Sequence, residues 1–267
     1  MRPLILITND DGVYSPGLKT LYNAVLDIGE VVIVVPETPK SATGLGLTLH
    51  KPLRIMKVNT VDFEAYLVSG TPSDIIHIAL SEILKRRPDI VLSGINIGDN
   101  TSIQVILSSG TVGAAIQAVL LGIPAIAFSV AVKNPNEILN SKLQDLMIKV
   151  CRCITEYVLE NGLPPEVELL NVNFPSRAKD HMKVKVVPAA KLRFQERVLK
   201  RVDPQGKPYY WVYGEPLEAE PSTDVYVVLE EGNISITPLK LDINVNLTSN
   251  LSKYFGNLII KLNRALN

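Results

Sequence analysis

Cysteine and histidine are scarce in this chain of 267 residues. The only two cysteines, Cys151 and Cys153, stand in a segment that we interpret as a helix, where their side chains point to different faces. We therefore expect neither a disulfide nor a paired thiolate metal site. The three histidines are scattered and form no motif such as HExxH. These shortages argue against zinc chemistry through thiolates or imidazoles.

Long apolar runs and an excess of charge of one sign are also lacking. No segment approaches the ~20 apolar residues of a membrane span, and the run Leu4 to Ile7 is too short for the core of a signal peptide. Lys plus Arg and Asp plus Glu balance at 27 each, which disfavours a nucleic acid polymer as partner. With reduced thiols, the chain is expected to be cytoplasmic and to have no membrane partner.

The sequence is rich in apolar residues, at 46%, and they are arranged in a regular rhythm. Apolar strand-like segments alternate with helical segments through the first half. The predicted strands are Leu4–Thr8, Val31–Val35, Asp89–Ser93 and Ala125–Phe128; the predicted helices are Pro16–Leu26, Ser73–Lys85 and Thr111–Leu121. This βαβ alternation predicts an α/β fold with a doubly wound, Rossmann-like parallel sheet. Such sheets bind ligands at the carboxyl ends of their strands.

The rhythm changes after about residue 175, so we divide the chain into a catalytic core, 1–175, and a C-terminal part, 176–267. Residues 192–213 are predicted to form an extended β-hairpin around the turn at Asp203–Gly206. Further strands are expected at Val225–Leu229 and Ile234–Thr237, followed by an amphipathic helix over about 248–264. The hairpin's aromatic residues either contact a partner or pack onto the core. They are Tyr209, Tyr210, Trp211 and Tyr213.

Two adjacent acids, Asp10 and Asp11, follow the first predicted strand and precede Gly12. Asn, Asp and Gly are common turn residues, so the segment could simply end the strand. However, Gly12 permits unusual backbone dihedrals, and at such a junction both carboxylates can turn toward one point. Carboxylates that converge in this way repel each other unless a cation lies between them. The pair therefore indicates a site for a hard metal ion.

Neighbouring loops at the same sheet edge supply further oxygen atoms. Ser41 follows the second strand and Asn96 follows the strand at Asp89–Ser93. Mg²⁺ and Mn²⁺ prefer oxygen ligands and commonly take one or two carboxylates from a protein. We predict one such divalent cation per subunit, with Asp10, Asp11, Ser41 and Asn96 as ligands.

Hydroxyl-bearing residues and glycine precede another predicted helix, at Ser109, Gly110 and Thr111. Free amides and the positive end of the helix dipole make such a turn a phosphate-binding site. An ordinary helix N-cap by Ser109 or Thr111 is the alternative. A metal ion beside a phosphate site predicts metal-assisted phosphoester hydrolysis, in which Asp10 or Asp11 orients the attacking water.

Motifs spread along the chain resemble those of SurE, the stationary-phase survival protein family of metal-dependent nucleoside monophosphate phosphatases. The matching segments are Asn9–Gly12, Ser41, Ser69–Pro72 with Asp74, Ser93–Asn96 with Gly98, Ser109–Val112, Asn171–Pro175, Pro208–Trp211 and Ser235–Leu239. They run in family order from the first strand almost to the final helix. Ser108 departs from the family pattern, because a tyrosine is frequent at that position.

The resemblance implies the same four metal ligands and adds Asn9 as a phosphate contact beside the Ser109–Thr111 turn. It implies hydrolysis of nucleoside 5′- and 3′-monophosphates, and in some members of short polyphosphate. It also implies a homodimer or homotetramer in which the hairpin and the C-terminal helix reach across to neighbouring subunits. The sequence leaves open the preferred nucleotide, the metal used in the cell and the choice between dimer and tetramer.

Three competing hypotheses differ in what they require of the sequence. A haloacid dehalogenase phosphatase requires an Asp-x-Asp pattern, which fails because position 12 is Gly12. A nucleotide-sensing module would bind metal and phosphate without turnover, since binding and hydrolysis use the same groups. Finally, the aromatic hairpin and terminal helix could make assembly the main role of the protein.

Overall fold

A nine-stranded β-sheet forms the centre of the protein in a computed structural model that describes residues 2–245 and 248–266. The strand order is β3-β4-β2-β1-β5-β6-β7-β11-β8, and β9 and β10 form a separate two-stranded sheet. The strands are β1 (Leu4–Thr8), β2 (Glu30–Pro36), β3 (Ile55–Asn59), β4 (Glu64–Val68), β5 (Ile90–Ile97), β6 (Ala125–Val130), β7 (Leu169–Phe174), β8 (Val184–Val186), β9 (Phe194–Val202), β10 (Pro208–Pro216) and β11 (Ile234–Leu239).

The strands from β4 to β7 are parallel, whereas β3 and β11 pair antiparallel with β4 and β7. Every residue of β1 and β6 is buried, as expected of apolar strands covered on both faces. The chain winds outward from β1 to β2 on one side and continues from β5 to β7 on the other. The predicted doubly wound sheet is confirmed, and its order reverses between β1 and β5, where such folds bind ligands.

Helices cover both faces of the sheet. The α-helices are α1 (Pro16–Val25), α2 (Pro72–Ile78), α3 (Ser102–Ser108), α4 (Gly110–Leu120), α5 (Ser141–Asn161) and α6 (Ser249–Leu266). One core cluster contains side chains from α1 and α5, and the other contains side chains from α2 and α4. In the described residues no single helix is long and apolar enough to cross a membrane; α3 and α4 meet the criteria only as a pair bent by 75°.

The predicted strand Val225–Leu229 is wrong, because Tyr226–Glu230 forms a π-helical turn. A short apolar run fits a buried helical turn as well as a strand, and periodicity cannot separate the two. The helix predicted over Ser73–Lys85 also changes geometry, since α2 ends at Ile78 and a π-helical turn follows over Ala79–Ile83. Its start is as expected: Thr71 caps it, with a reciprocal hydrogen bond to Asp74.

The C-terminal hairpin is confirmed. β9 and β10 pair antiparallel over their full nine-residue lengths, and nearly all of their side chains are exposed. The terminal helix α6 carries an exposed apolar stripe that includes Phe255, Leu258 and Leu262. Between these elements β11 returns to the main sheet beside β7, so the part after residue 175 completes the central sheet.

Candidate active site

The Asn9–Gly12 turn leaves the carboxyl end of β1. The Gly12 amide donates to Asn9 Oδ1 at 3.0 Å, and Asn9 Nδ2 donates to the Gly12 carbonyl at 2.9 Å. Gly12 has a φ of 90°, a conformation that favours glycine. Asn9 is fully buried and closes this turn with both ends of its amide. The predicted phosphate contact of Asn9 is thus limited to its second Nδ2 hydrogen.

Asp10 lies almost completely buried at the start of α4, with 6% of its surface exposed. Its carboxylate accepts a hydrogen bond from the Thr111 hydroxyl and another from the Thr111 backbone amide. Burial raises the pKa of Asp10 to about 6, the hydrogen bonds from Thr111 lower it, and the neighbouring charge of Asp11 raises it again. The side chain is therefore held in place by α4.

Asp11 is less buried and faces β5. Its Oδ2 accepts a hydrogen bond from the Ile97 amide at 3.2 Å, and the Ser15 hydroxyl also bonds to the carboxylate. Burial raises the pKa of Asp11, and these two hydrogen bonds lower it. Across the described ranges, neither Asp10 nor Asp11 forms an ion pair with a basic side chain. Two adjacent, poorly solvated acids without a cationic partner are suited to binding a cation.

A β-bulge aims Asn96 at the same edge of the sheet. Ser93 pairs with Ala127 and Asn96 pairs with Ser129, so β5 contains one residue more than β6 in this interval. The bulge requires Gly94, which has a φ of 132° and would place a Cβ 2.2 Å from the Phe128 carbonyl.

The Asn96 side chain is only half engaged. Its Nδ2 donates to the Gly98 carbonyl at 2.8 Å, while Oδ1 accepts no hydrogen bond from the described residues. The free oxygen is the atom that a hard cation would use.

Ser41 lies on the exposed loop after β2. The loop is fixed on both sides of Ser41, because the Lys40 amide donates to the Asp10 carbonyl at 2.8 Å and the Gly44 amide donates to the Ser108 carbonyl at 3.0 Å. Ser41 itself is exposed, and its hydroxyl makes no hydrogen bond to the part of the chain that the structure describes. Of the predicted metal ligands, it is the most loosely held.

The N-terminus of α4 meets Asp10 at close range because Gly110 has no side chain. A Cβ at Gly110 would lie 3.0 Å from Asp10 Oδ2 and 2.9 Å from Thr43 Oγ1. Ser109 Oγ accepts from the Val112 amide at 3.1 Å and caps the helix. The Thr111 hydroxyl thus donates its proton within the protein, whereas Ser109 Oγ only accepts and keeps its proton for another partner. Backbone amides remain the natural phosphate donors of this turn.

A polar network that the sequence did not reveal braces the loop between β5 and α3. The Asn100 amide donates to Asn173 Oδ1 at 2.8 Å, and Asn171 Nδ2 donates to the Asn100 carbonyl at 2.8 Å. The Ser102 amide donates to buried Asp224 at 2.9 Å. Ser102 has a positive φ of 73°. Asn171 and Asn173 are two apart on β7, so their shared face was the available signal.

Two carboxylates and neutral oxygens fit a hard divalent cation. In the described residues no group of three or more His, Cys, Asp or Glu side chains is placed to hold a metal, so the acidic ligands here number at most two. Mg²⁺ and similar ions accept such a set and retain several waters. The arrangement fits the predicted chemistry better than it would fit zinc.

Comparison with known proteins identifies the family. The family model described as Survival protein SurE matches residues 5–196. The chain belongs to the SurE family. A 5′-nucleotidase SurE of Pyrobaculum arsenaticum is 56% identical over 241 residues, which cover 90% of each chain. One of Hyperthermus butylicus is 54% identical over 243 residues, 90% of this chain and 86% of that protein.

The fold agrees with this family membership. The crystal structure of the SurE protein from Aquifex aeolicus superposes with a TM-score of 0.78 at 38% sequence identity. The match covers 95% of this chain and 100% of that one. The similarity therefore extends through the sheet and into the part after residue 175.

Proposed function

We propose that the protein is a divalent-metal-dependent 5′-nucleotidase that hydrolyses nucleoside 5′-monophosphates, and also 3′-monophosphates, to nucleoside and phosphate. Its family relatives named 5′-nucleotidase support the enzyme class. The observation that carries the proposal is the unpaired acid couple, Asp10 and Asp11, next to the N-terminus of α4. Short polyphosphate is a further substrate worth testing.

Asp10, Asp11, Ser41 and Asn96 would hold one Mg²⁺ or Mn²⁺ ion per subunit. Such an ion, when bound, polarises phosphoryl oxygens and makes a bound water more acidic. Asp10 is held by Thr111 and Asp11 by the Ile97 amide, so both carboxylates are fixed before substrate arrives. This preorganisation orients a water for attack on phosphorus.

The phosphate would lie at the Ser109–Thr111 turn. The backbone amide of Gly110 supplies a donor, and the helix dipole of α4 favours negative charge there. Asn9 supplies its remaining Nδ2 hydrogen from the turn below. The Ser109 oxygen caps α4 while its proton is available to the phosphate, and the Thr111 hydroxyl holds Asp10 in place.

Assembly is part of the proposal. The exposed hairpin and the apolar stripe of α6 would contact neighbouring subunits in a homodimer or homotetramer. We place the enzyme in the cytoplasm, where the thiols of Cys151 and Cys153 would stay reduced.

The test is phosphate release from a panel of 5′- and 3′-nucleotides and short polyphosphate, with Mg²⁺ or Mn²⁺ and with EDTA. We expect turnover of at least one 5′-nucleotide with metal and none with EDTA. Binding of nucleotide and metal without phosphate release would instead identify a sensing module. Release that persists in EDTA would contradict the metal-dependent mechanism.

A further inference from the structure

A cleft of ≈ 470 Å³ lies between the start of α1 and the turn that joins β3 to β4. Tyr14 and Ser15 line it from the α1 side, and Asn59 and Phe63 line it from the other side. Its volume is within the usual range for small-molecule sites. The cleft is distinct from the phosphate-binding turn at α4, which contributes none of its lining residues.

One residue connects this cleft to the candidate metal centre. Ser15 lines the cleft, and its hydroxyl bonds to the carboxylate of Asp11. The Ser15 amide also donates to the Gly12 carbonyl at 3.3 Å, so Ser15 belongs to the same turn as the acid pair. A substrate whose phosphate is held near Asp11 would therefore have its remaining part close to this cleft.

The lining of the cleft suits a flat, uncharged group. The ring of Tyr14 is 91% exposed and makes no ring contact or hydrogen bond with the described residues. Lys19 and Asp62 form an ion pair at 2.8 Å and neutralise each other, so the wall carries no free charge for a second phosphate. An aromatic face beside a neutral wall is typical of sites that stack a nucleobase.

A polar group is also available in the cleft. The exposed side-chain amide of Asn59 makes no hydrogen bond to the described residues, and it offers both a donor and an acceptor. The edge of a nucleobase presents the complementary pattern. Thr60, by contrast, is engaged in its own turn, since its hydroxyl donates to the Phe63 carbonyl at 2.8 Å.

We propose that this cleft is the nucleoside subsite, in which Tyr14 stacks on the base and Asn59 reads its edge. The proposal rests on the proposed nucleotidase function and specifies which part of the chain holds the nucleoside. Tyr14 and Asn59 are then specificity-determining residues, and they leave phosphate chemistry to Asp10 and Asp11.

The experiment compares AMP with ribose 5-phosphate, which has the same sugar and phosphate but no base. For Tyr14→Ala we expect kcat/KM on AMP to fall about tenfold, mainly through KM, because base stacking on an aromatic ring is lost. We expect less than about a twofold change on ribose 5-phosphate. Tyr14→Phe should retain wild-type values, since the ring is kept. Tyr157→Ala, which removes a 65% exposed tyrosine from α5, is the matched control.

A second arm tests Asn59 with a panel of purine and pyrimidine 5′-nucleotides. In Asn59→Ala we expect kcat/KM to differ less from one base to another, because the side chain proposed to read the edge of the base is removed. An equal loss on AMP and ribose 5-phosphate in Tyr14→Ala, or no loss on either, would overturn the subsite and leave the hydrolase intact. Failure of the unmodified protein to hydrolyse any nucleotide with Mn²⁺ would overturn the proposed function as well.

Discussion

Two regions of the molecule differ in how far a single chain buries their side chains. The site floor, formed by Asp10, Asp11, Asn96 and Thr111, is packed between β1, β5 and α4. The outer arm, formed by β9, β10 and α6, exposes large side chains: Asp10 is 6% exposed, whereas Trp211 is 60% exposed. A two-stranded hairpin is marginally stable alone in water. The contrast shows that Asp10 and Asp11 are positioned within one chain, and it is consistent with the proposal that a partner subunit covers the arm.

The two regions also differ in their electrostatics. On the arm, Arg197 and Glu215 form an ion pair at 3.0 Å, and at 45% and 50% side-chain exposure this pair adds little stability. On the site floor, Asp10 and Asp11 have no basic partner, and burial raises the pKa of each. The ion pair on the arm is thus neutral and well solvated, whereas the floor holds two neighbouring negative charges whose repulsion a cation would relieve.

The largest expected effect comes from removing the negative charge of Asp10 on the site floor. Asp10→Asn keeps the shape of the side chain and an oxygen for the Thr111 hydroxyl, but removes the charge. We expect phosphate release from AMP to fall about a thousandfold, because a metal ion contributes several kcal/mol to the transition state. The assay is steady-state phosphate release with saturating Mn²⁺.

Asp145→Asn, at an exposed acid on α5, is the control for this substitution and should keep wild-type activity. The Asp10→Asn protein should stay folded and retain its oligomeric state, which sedimentation can verify. Full turnover by this variant would remove Asp10 from the list of metal ligands.

The next effect concerns pH and stability. In the metal-free protein Asp10 has a pKa of about 6, above its ordinary 3.8, so the folded state binds the proton more tightly than the unfolded state. The contribution of Asp10 to stability is thus most favourable below about pH 4 and becomes less favourable as pH rises to about 6, by roughly 3 kcal/mol at most. Asp11, whose pKa is also raised, acts in the same direction.

Denaturant unfolding in EDTA, at about pH 4 and about pH 7, measures this effect as the difference between wild type and Asp10→Asn. The variant should gain stability relative to wild type at the higher pH. Mn²⁺ should stabilise the wild type more at the higher pH, since the cation competes with the proton. If the difference in unfolding free energy between the two proteins does not change with pH, the pKa of Asp10 is not raised in the folded state.

The sequence alone predicts much of the sheet, the residues at its carboxyl edge and the hairpin. The β-branched run Val31–Val35 before Pro36 predicted a buried parallel strand, and β2 occupies that position. Because the carboxyl ends of parallel strands share one edge, the strand pattern alone predicts that Asp10, Asp11 and Asn96 lie at the same edge of the sheet. The hairpin followed from its turn residues and aromatic arm.

Other features depend on tertiary contacts that no local pattern encodes. Residues 225–229 are apolar enough for a strand, yet buried Asp224 bonds to the Ser102 and Ala190 amides and starts a helical turn there. Likewise, the sequence predicts the Ser109–Thr111 turn as a phosphate contact, but it does not show that the Thr111 hydroxyl donates to Asp10 or that Ser109 Oγ caps α4. These contacts depend on how α4 packs against the Asn9–Gly12 turn.

On the arm, Trp211→Ala should weaken assembly without touching the site floor. Buried aromatic residues dominate interface energies, so we expect the dissociation constant of the oligomer to rise about thirtyfold. Sedimentation or light scattering over a range of protein concentrations measures this change, with Tyr157→Ala as control. Unchanged species at every concentration would place the interface elsewhere. The Mn²⁺ affinity of Trp211→Ala should equal that of the wild type, because the substitution changes assembly and leaves the site floor intact.

The smallest expected effect concerns Ser41, which is a predicted metal ligand like the residues of the site floor but is exposed like those of the arm. Ser41 belongs to the predicted ligand set, yet it is exposed and its hydroxyl is unbonded in the described residues, unlike Asp10. We expect Ser41→Ala to lower Mn²⁺ affinity about tenfold while kcat at saturating metal changes little, because a water can replace a neutral ligand oxygen. Calorimetric titration with Mn²⁺ gives the affinity, and Ser81→Ala, at an exposed serine in the turn after α2, is the control. A loss as large as that of Asp10→Asn would mean that the exposed loop closes over the metal and belongs to the site floor.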